Sequence, residues 1–315
     1  MRARDGVRSA RRIEGRRDAV TRRFSSASAR GLACLVALIA AAPQVATAAT
    51  APGSGSGDKS QYHLFNPTPR DRMRELSTDR PDVTESPHTV DAGHFQVELS
   101  LVEYIHDNSG GAELDEFVIL PSNLKVGLLN NLDLQFVLEP YVYQRVRDEA
   151  GGRSVNNGLG NMQVRAKLNV WGNDGGETAL AVMPYVQLPT ASGDLGGTDH
   201  LEGGVIVPLA IDLPNEFGLG LMAEVDVLRD ADDESYGLSF LHTAALGRPI
   251  VGGLNGYVEY VGIASRELDA GYIALVGGGL TYAMGDNAQL DGGVYFGLSD
   301  KADDFRAFLG LSLRL

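Results

Sequence analysis

Alternation of apolar and polar residues constrains this chain more than any other feature, and it is clearest over residues 158–171, GLGNMQVRAKLNVW. The apolar set is Met162, Val164, Ala166, Leu168 and Val170, and the polar set is Asn161, Gln163, Arg165, Lys167 and Asn169. Successive side chains of a strand point to opposite faces of a sheet. The stretch therefore predicts a strand with one apolar and one polar face.

The same alternation recurs about every ten residues up to the C-terminus, with turn residues in between, which is typical of a transmembrane β-barrel. The strands it predicts are 94–104, 117–128, 132–146, 158–171, 178–188, 201–212, 217–228, 236–247, 254–263, 271–284, 288–298 and 305–315. We expect an all-β fold, a closed transmembrane antiparallel barrel of about 12 strands over residues 94–315. A soluble β-sandwich with its apolar faces packed inward is the alternative fold.

Connection lengths support the barrel, because outer-membrane barrels alternate short periplasmic turns with longer extracellular loops. Short connections are predicted at 130–131, 172–176, 213–216, 248–253 and 285–287, and longer or more acidic ones at 105–116, 147–157, 189–200, 229–235, 264–270 and 299–304. This alternation of short and long connections places both ends of the barrel domain in the periplasm. In the second strand, the pattern makes Val118, Leu120, Leu124, Val126 and Leu128 face lipid.

Four prolines fall inside predicted strands: Pro121, Pro140, Pro184 and Pro208. Proline has no N–H to donate to a strand ladder, so each should require a bulge or a local break.

The first 48 residues resemble an export signal that is cleaved. They are arginine-rich up to Arg30, carry no charge from 31 to 42, and reach an A-x-A site at Ala46-Thr47-Ala48. A signal followed by a barrel predicts the outer membrane of a Gram-negative bacterium. The single cysteine, Cys34, lies in this signal, so the mature chain would lack thiol chemistry and disulfides. The net charge of −14 argues against nucleic acid as a partner.

Residues 49–93 lack a sustained period and are predicted to form a periplasmic lead before the barrel. They include Ser77 to Pro87, STDRPDVTESP. Arg80 stands between Asp79 and Asp82, and we expect it to enter an acidic lumen and pair with one of three acids there, Glu139, Glu224 or Glu259. The lead is thus a candidate lumen plug, with its motif at Asp79, Arg80, Asp82 and Glu85; the alternative is a disordered periplasmic segment.

This motif, followed by residues 93–98 (GHFQVE), resembles the opening of outer-membrane proteins of the putative MetA-pathway of phenol degradation family, often labelled transporters. The resemblance runs from Ser77 to the C-terminus through the short matches GNM (160–162), LPT (188–190) and VEY (258–260). It implies an outer-membrane barrel with an association to aromatic degradation. It carries no substrate, cofactor or catalytic residue over to this chain.

The predicted registers point a set of charged side chains into the lumen. The candidates are Glu98, Lys125, Asp133, Glu139, Arg165, Lys167, Glu202, Glu224, Asp226, Glu259 and Asp291. Acids outnumber bases, which would favour cations or neutral solutes in a channel. The alternative is that these groups pair with one another and with water and only keep the lumen wet.

Catalytic patterns are weak. The six histidines show no metal-ligand spacing, and the chain has neither a G-x-S-x-G elbow nor a complete G-x-G-x-x-G. We expect no enzyme activity, no metal and no cofactor.

The predicted function is therefore that of a porin-like passive channel or transporter for small solutes, including hydrophobic or aromatic ones. A structural or adhesive barrel with a filled lumen is one alternative, and a lipid-modifying membrane enzyme is another. The expected partners are outer-membrane lipid and lipopolysaccharide, the barrel-assembly machinery and an unidentified solute.

Overall fold

The structure is a computed structural model that describes residues 58–109, 111–195, 200–229, 235–265 and 271–315. The predicted export signal and the first residues of the lead lie outside these ranges. In the described ranges, the helices are single 3-10 turns at Arg70–Arg72 and Gly193–Leu195. No helix there is long and apolar enough to cross a membrane.

Fifteen strands, all paired antiparallel, make up the described wall. They are β1 Phe95–Ser109, β2 Ala112–Ile119, β3 Ser122–Leu129, β4 Leu132–Leu138, β5 Tyr141–Asp148, β6 Arg153–Gly158, β7 Met162–Trp171, β8 Thr178–Leu188, β9 Glu202–Leu213, β10 Phe217–Arg229, β11 Tyr236–Val251, β12 Leu254–Ser265, β13 Tyr272–Ala283, β14 Ala288–Gly297 and β15 Phe305–Arg314.

The wall closes on itself because β15 pairs with β1 as well as with β14. Three wall strands are each built from two pieces, β2 with β3, β4 with β5, and β6 with β7. β1 pairs with β3 through its first residues and with β2 through its last ones. The fifteen strands therefore make up twelve wall strands, and the predicted closed barrel of twelve antiparallel strands is confirmed.

The three two-piece strands are broken at a similar height. One break falls at Leu120 and Pro121, where Leu120 has φ 55°, the second at residues 139–140, and the third at residues 159–161. Pro121 and Pro140 thus interrupt strands as expected. Pro184 and Pro208 lie within continuous strands, opposite Val205 and Met222. Each still leaves a local gap in the ladder on its other side, because the β7–β8 pairing lacks Pro184 and the β8–β9 pairing lacks Pro208.

The break in the second wall strand also corrects a predicted face. Val118 was expected to face lipid, but it is 4% exposed, whereas its neighbour Phe117 is 38% exposed. The irregular residues 120–121 shift the alternation between β2 and β3, so a single phase does not hold across them. Beyond the break, Leu124 is 39% exposed, in agreement with the predicted face.

Two of the predicted loops, 105–116 and 147–157, are instead paired strand. β1 and β2 extend almost to their shared turn, and β5 and β6 are joined by residues 149–152 alone. Arg145 lies directly opposite Asp115 with Nη2 2.5 Å from Oδ2, and Arg147 lies opposite Glu113 and binds its carboxylate. Opposite charges facing each other across strands stabilise pairing, so these polar stretches continue the sheet without apolar alternation.

We call the end of the barrel that carries Phe95 and Leu315 the turn end and the opposite end the loop end. Toward the turn end the interior is mostly polar and charged. Toward the loop end, apolar residues of β8 to β14 point inward and pack together. They are Met183, Tyr185, Ile206, Met222, Leu241, Val261, Ile263, Ile273, Leu275 and Tyr295.

Candidate functional site

The lead segment, residues 58–93 as described, meets the barrel at the turn end. His63 forms a bridge with Leu129, and the backbone N–H of Leu64 donates to the carbonyl of Leu128 at 2.9 Å. The segment ends at Gly93, whose N–H donates to the carbonyl of Gly127 at 2.8 Å. Between these points its side chains and backbone contact inward-facing residues on both sides of the barrel, among them Lys167 on β7 and Glu259 on β12.

Asp79 of the lead segment links two lysines of the wall. Its two oxygens bind the ammonium groups of Lys125 on β3 and Lys167 on β7, and Lys125 also binds Glu98. The N–H of Asp79 donates to Glu98 Oε2 at 3.0 Å. Although burial alone would raise it, the positive charges of Lys125 and Lys167 hold the pKa of Asp79 well below its ordinary value.

Arg80 pairs with Asp291, not with the acids expected from the sequence. Its Nη2 lies 2.8 Å from Asp291 Oδ1 on β14, and its Nη1 donates to Ser100 Oγ on β1 at 2.6 Å. The guanidinium also lies 5.6 Å from the ring centre of Phe308 on β15. The expected partner Glu259 instead accepts hydrogen bonds from other residues of the lead segment.

Glu259 on β12 is hydrogen-bonded to Val83 and Thr84 of the lead segment. Its carboxylate accepts their backbone N–H groups at 2.9 Å and 2.8 Å, and it accepts the Thr84 hydroxyl at 2.5 Å. The Thr84 hydroxyl also lies 2.6 Å from that of Thr243 on β11. A buried carboxylate thus satisfies two backbone donors that have no partner in a ladder.

Glu85 binds Arg165 on β7. Burial raises the pKa of Glu85 to about 7, and the negative charge of Asp79 adds to this effect while Arg165 opposes it. Burial and the charge of Glu259 likewise raise the pKa of Asp82 well above its usual range. Two carboxyl groups of the lead motif therefore favour their neutral forms more than an exposed acid would.

The segment after Glu85 returns toward the turn end along β3, β4 and β7. Asn169 donates to the Pro87 carbonyl at 2.9 Å, and the Val90 N–H donates to Asp133 Oδ2 at 3.0 Å. Gly127 allows close approach of this stretch, because a Cβ added there would lie 2.1 Å from the carbonyl oxygen of Asp91.

The structure places the charged residues predicted for the lumen as follows. The members of this set that lie on strands are all buried: Glu98, Lys125, Asp133, Arg165, Lys167, Glu202, Glu224, Asp226, Glu259 and Asp291. Glu139 lies in the break between β4 and β5 and is half-buried. Glu98, Lys125, Asp133, Arg165, Lys167, Glu259 and Asp291 contact the lead segment, and Glu224 and Asp226 accept the Tyr185 hydroxyl at 3.2 Å and 2.6 Å.

Three cavities border the lead segment. The first has a volume of about 180 Å³ and is bounded by an apolar side with Val261, Leu275 and Phe308 and a charged side with Glu139 and Arg165. A second, of about 460 Å³, lies toward the turn end beside β10 to β13. The third, of about 1730 Å³, opens beside the turns at 129–131 and 172–176. Residues 80–82 line both the first and the second cavity, so they separate the two.

Sequence analysis missed the apolar part of the interior and the uncharged polar residues that hold the lead segment. Thr243 is one of these residues, since its hydroxyl is hydrogen-bonded to that of Thr84. Tyr295 is another, since its hydroxyl donates to Glu259, the carboxylate that accepts the Val83 and Thr84 N–H groups. A signal existed for the apolar part, because residues 254–263 and 271–284 are apolar at both alternating positions in many places. Strands that are apolar on both faces cannot line a wholly polar lumen.

Among the solved structures, the barrel is similar to the COG4313 outer membrane channel from Pseudomonas putida F1, with 15% identity, 75% of this chain and 99% of that chain covered and a TM-score of 0.55. Weaker matches include the NanC porin, at 10% identity, 70% and 100% coverage and a TM-score of 0.45. Another is the transport unit of the autotransporter AIDA-I from Escherichia coli, at 12% identity, 70% and 89% coverage and 0.46. The first match shows a shared fold, that of an outer-membrane barrel.

A comparison with curated proteins returned no match. The model of one family, described as putative MetA-pathway of phenol degradation, matches residues 78–315. The match begins within the STDRPDVTESP motif, so it includes residues 78–93 of the lead segment, and it confirms the resemblance found in the sequence. The chain belongs to the family described as putative MetA-pathway of phenol degradation.

Proposed function

We propose that this protein is a passive channel in the bacterial outer membrane, with its turn end toward the periplasm. The observation that carries the proposal is a pair of cavities inside a closed barrel, with residues 80–82 of the lead segment between them. A barrel of twelve strands is wider than those that side chains alone can fill, and here the lead segment occupies the remaining space.

The solutes we propose are small and hydrophobic or aromatic. Support comes from the apolar side of the first cavity, where the rings of Tyr295 and Phe308 stack with centres 6.1 Å apart. Ligand sites of this kind are mostly apolar with a few polar groups that orient the ligand. Carboxylates such as Glu139 on the opposite side would accept a hydrogen bond from a hydroxyl or bind a cation. The name of the family is consistent with aromatic solutes.

We propose further that residues 58–93 are a plug domain and that the lead motif is its working part. Asp79 forms ion pairs with β3 and β7, Glu85 forms one with β7, and Arg80 forms one with β14. Such contacts hold the segment across the lumen. Passage of a solute would then require residues 80–82 to move.

The protein would be exported with cleavage after about residue 48, inserted by the barrel-assembly machinery, and surrounded by lipid and lipopolysaccharide. Large aromatic side chains on the outside fit that surrounding, since Tyr272 near the loop end and Trp171 and Tyr282 near the turn end are 43 to 50% exposed. We assign no catalysis to the protein.

Planar-bilayer conductance of refolded residues 49–315 across a salt gradient tests the proposal. Discrete current steps are expected, with a reversal potential on the cation-selective side because acids dominate the lumen. Folding is checked independently by the faster migration of the unheated barrel in a detergent gel. A folded protein that stays electrically silent, and that does not accelerate entry of an aromatic solute into vesicles, would contradict the channel and favour a structural barrel.

A further inference from the structure

The pairing of β1 with β15 closes the barrel, and it differs from every pairing between consecutive wall strands. β1 and β15 are not joined by a turn, so more than 200 residues must be ordered before they meet. Closing so long a loop carries a larger entropic cost than forming a hairpin. We call the β1–β15 pairing the seam.

Residues 74–80 of the lead segment run along the seam and bind its β1 side at three points. Gln96 Nε2 donates to the Ser77 carbonyl at 2.8 Å. The Asp79 N–H donates to Glu98, and Arg80 donates to Ser100 at 2.6 Å. Gln96, Glu98 and Ser100 are the inward-facing residues in the first part of β1, and each is at most 2% exposed.

The same seven residues bind the other side of the seam. Arg314 on β15 donates from Nη1 to the Arg74 carbonyl at 2.7 Å. On β14, Gln289 donates to the Thr78 hydroxyl at 3.1 Å, and Asp291 accepts from Arg80 at 2.8 Å. Hydrogen bonds to β1 and to β14 or β15 therefore come from neighbouring positions of one short segment.

Arg80 reaches both sides with a single guanidinium. Gly310 on β15 lies directly beneath it, since a Cβ added to Gly310 would be 2.1 Å from Arg80 Nη2. Gly310 is also the direct partner of Ser100 in the seam. The planar, multi-donor arginine head is suited to bridging two acceptors at fixed angles. The absence of a side chain at Gly310 leaves the space that it occupies.

From this arrangement we propose that residues 74–80 are an intramolecular clasp that holds the first and last strands of the barrel together. This role goes beyond occlusion of the lumen. A plug that only blocked passage could bind any part of the wall, whereas the clasp crosses the one pairing that no turn supports. Release of the clasp therefore loosens the seam and leaves the remaining wall paired.

Hydrogen exchange of the folded full-length mature chain in lipid tests the clasp. Arg80→Ala is compared with Arg165→Ala, which also removes an arginine–carboxylate pair between the lead segment and the wall, but at β7. In Arg80→Ala, amide exchange within 95–100 and 309–314 should accelerate at least tenfold over the wild-type rate. In Arg165→Ala it should change less than twofold there. Equal acceleration at the seam in both variants, or none in Arg80→Ala, overturns the proposal.

A milder variant and a rescue keep the test decisive if Arg80→Ala does not fold. Thr78→Val removes the Gln289 bond, and faster exchange confined to the seam is expected. Val97 and Leu313 are direct partners across the seam, so an oxidised Val97→Cys, Leu313→Cys pair should restore slow exchange in the Arg80 or Thr78 variant. Failure of this cross-link to restore protection would contradict a role at the seam. Conductance is not read, so the channel proposal can fail without affecting this result.

Discussion

The carboxylate of Asp79 in the lead segment binds the ammonium of Lys167 on β7, and both side chains are almost completely buried, at 5% and 1% exposure. The same carboxylate binds Lys125, which is equally buried. Two cations in the interior of the barrel thus share one acid that belongs to a segment outside the wall, and Lys125 has Glu98 as a further partner. The lead segment is for this reason a part of the folded core and its charge balance.

Replacing Asp79 by asparagine should therefore destabilise the protein strongly. It removes the carboxylate that binds Lys167, and leaving a buried charge without its partner costs about 3–5 kcal/mol. Urea unfolding of the refolded barrel in lipid vesicles measures the effect. Asp71→Asn is the matched control, because Asp71 is an exposed acid of the same segment. Similar stabilities for the two variants would contradict the central place given to Asp79.

Glu259→Gln should release the innermost part of the lead segment. The substitution removes the charged acceptor of the Val83 and Thr84 N–H groups, and hydrogen bonds to charged groups contribute about 1.5–3 kcal/mol. Amide exchange of these two residues should accelerate by roughly tenfold or more. Glu113→Gln, a change in an ion pair with Arg147 elsewhere, serves as the control. Unchanged exchange at Val83 and Thr84 would show that Glu259 does not hold the segment.

Gly127→Ala should displace the returning part of the lead segment. The added methyl would meet the Asp91 carbonyl, which is backbone and cannot rotate away, and overpacking of this kind costs about 1–3 kcal/mol. Gly218→Ala is the control, since a Cβ there meets nothing within 4 Å. Urea unfolding should separate the two variants. If Gly218→Ala proved equally destabilised, glycine replacement in a strand, and not contact with the lead segment, would be the cause.

The contact of Glu85 should make release of the lead segment pH-dependent. The pKa of Glu85 is raised from 4.5 to about 7 in the folded protein. The stabilisation that protonated Glu85 provides is therefore fully present below about pH 4.5 and is lost as the pH rises through about 7. Release should be more frequent at pH 8 than at pH 6, by at most about tenfold per pH unit for one proton.

Open-channel probability in planar bilayers measures this pH effect. Glu85→Gln should reduce the pH dependence of the open-channel probability. Asp82→Asn should reduce this pH dependence as well, because the pKa of Asp82 is raised too. A pH dependence that survives both changes together would assign it to groups outside the lead segment.

The strands of the wall could be predicted from the sequence much better than the interior of the barrel and the course of the lead segment. Lipid on one side and a polar network on the other force alternation, so strands such as Thr178–Leu188 matched their predicted bounds. Val118 was assigned to the wrong face because a break at Leu120 and Pro121 resets the phase, and local pattern does not show how the chain leaves such a break.

The course of the lead segment was beyond prediction for a different reason. Its backbone donors bind side chains, as when Val83 and Thr84 donate to Glu259, and such contacts leave no period in the sequence. The charge of Arg80 indicated that it would meet an acid in the lumen, but choosing Asp291 over Glu259 requires the position of β14 and the space over Gly310.

The most direct test of the channel account is a reversible tether between the lead segment and the wall. Thr84 and Thr243 touch through their hydroxyl groups, and the only cysteine of the chain, Cys34, precedes residue 49. In refolded residues 49–315, Thr84→Cys, Thr243→Cys should form a disulfide that holds residues 80–86 in place. Current steps in planar bilayers should be rare in the oxidised protein and return on reduction, while Thr84→Cys alone should not respond. Equal conductance in the oxidised and reduced double variant would contradict the claim that the lead segment must move for solutes to pass.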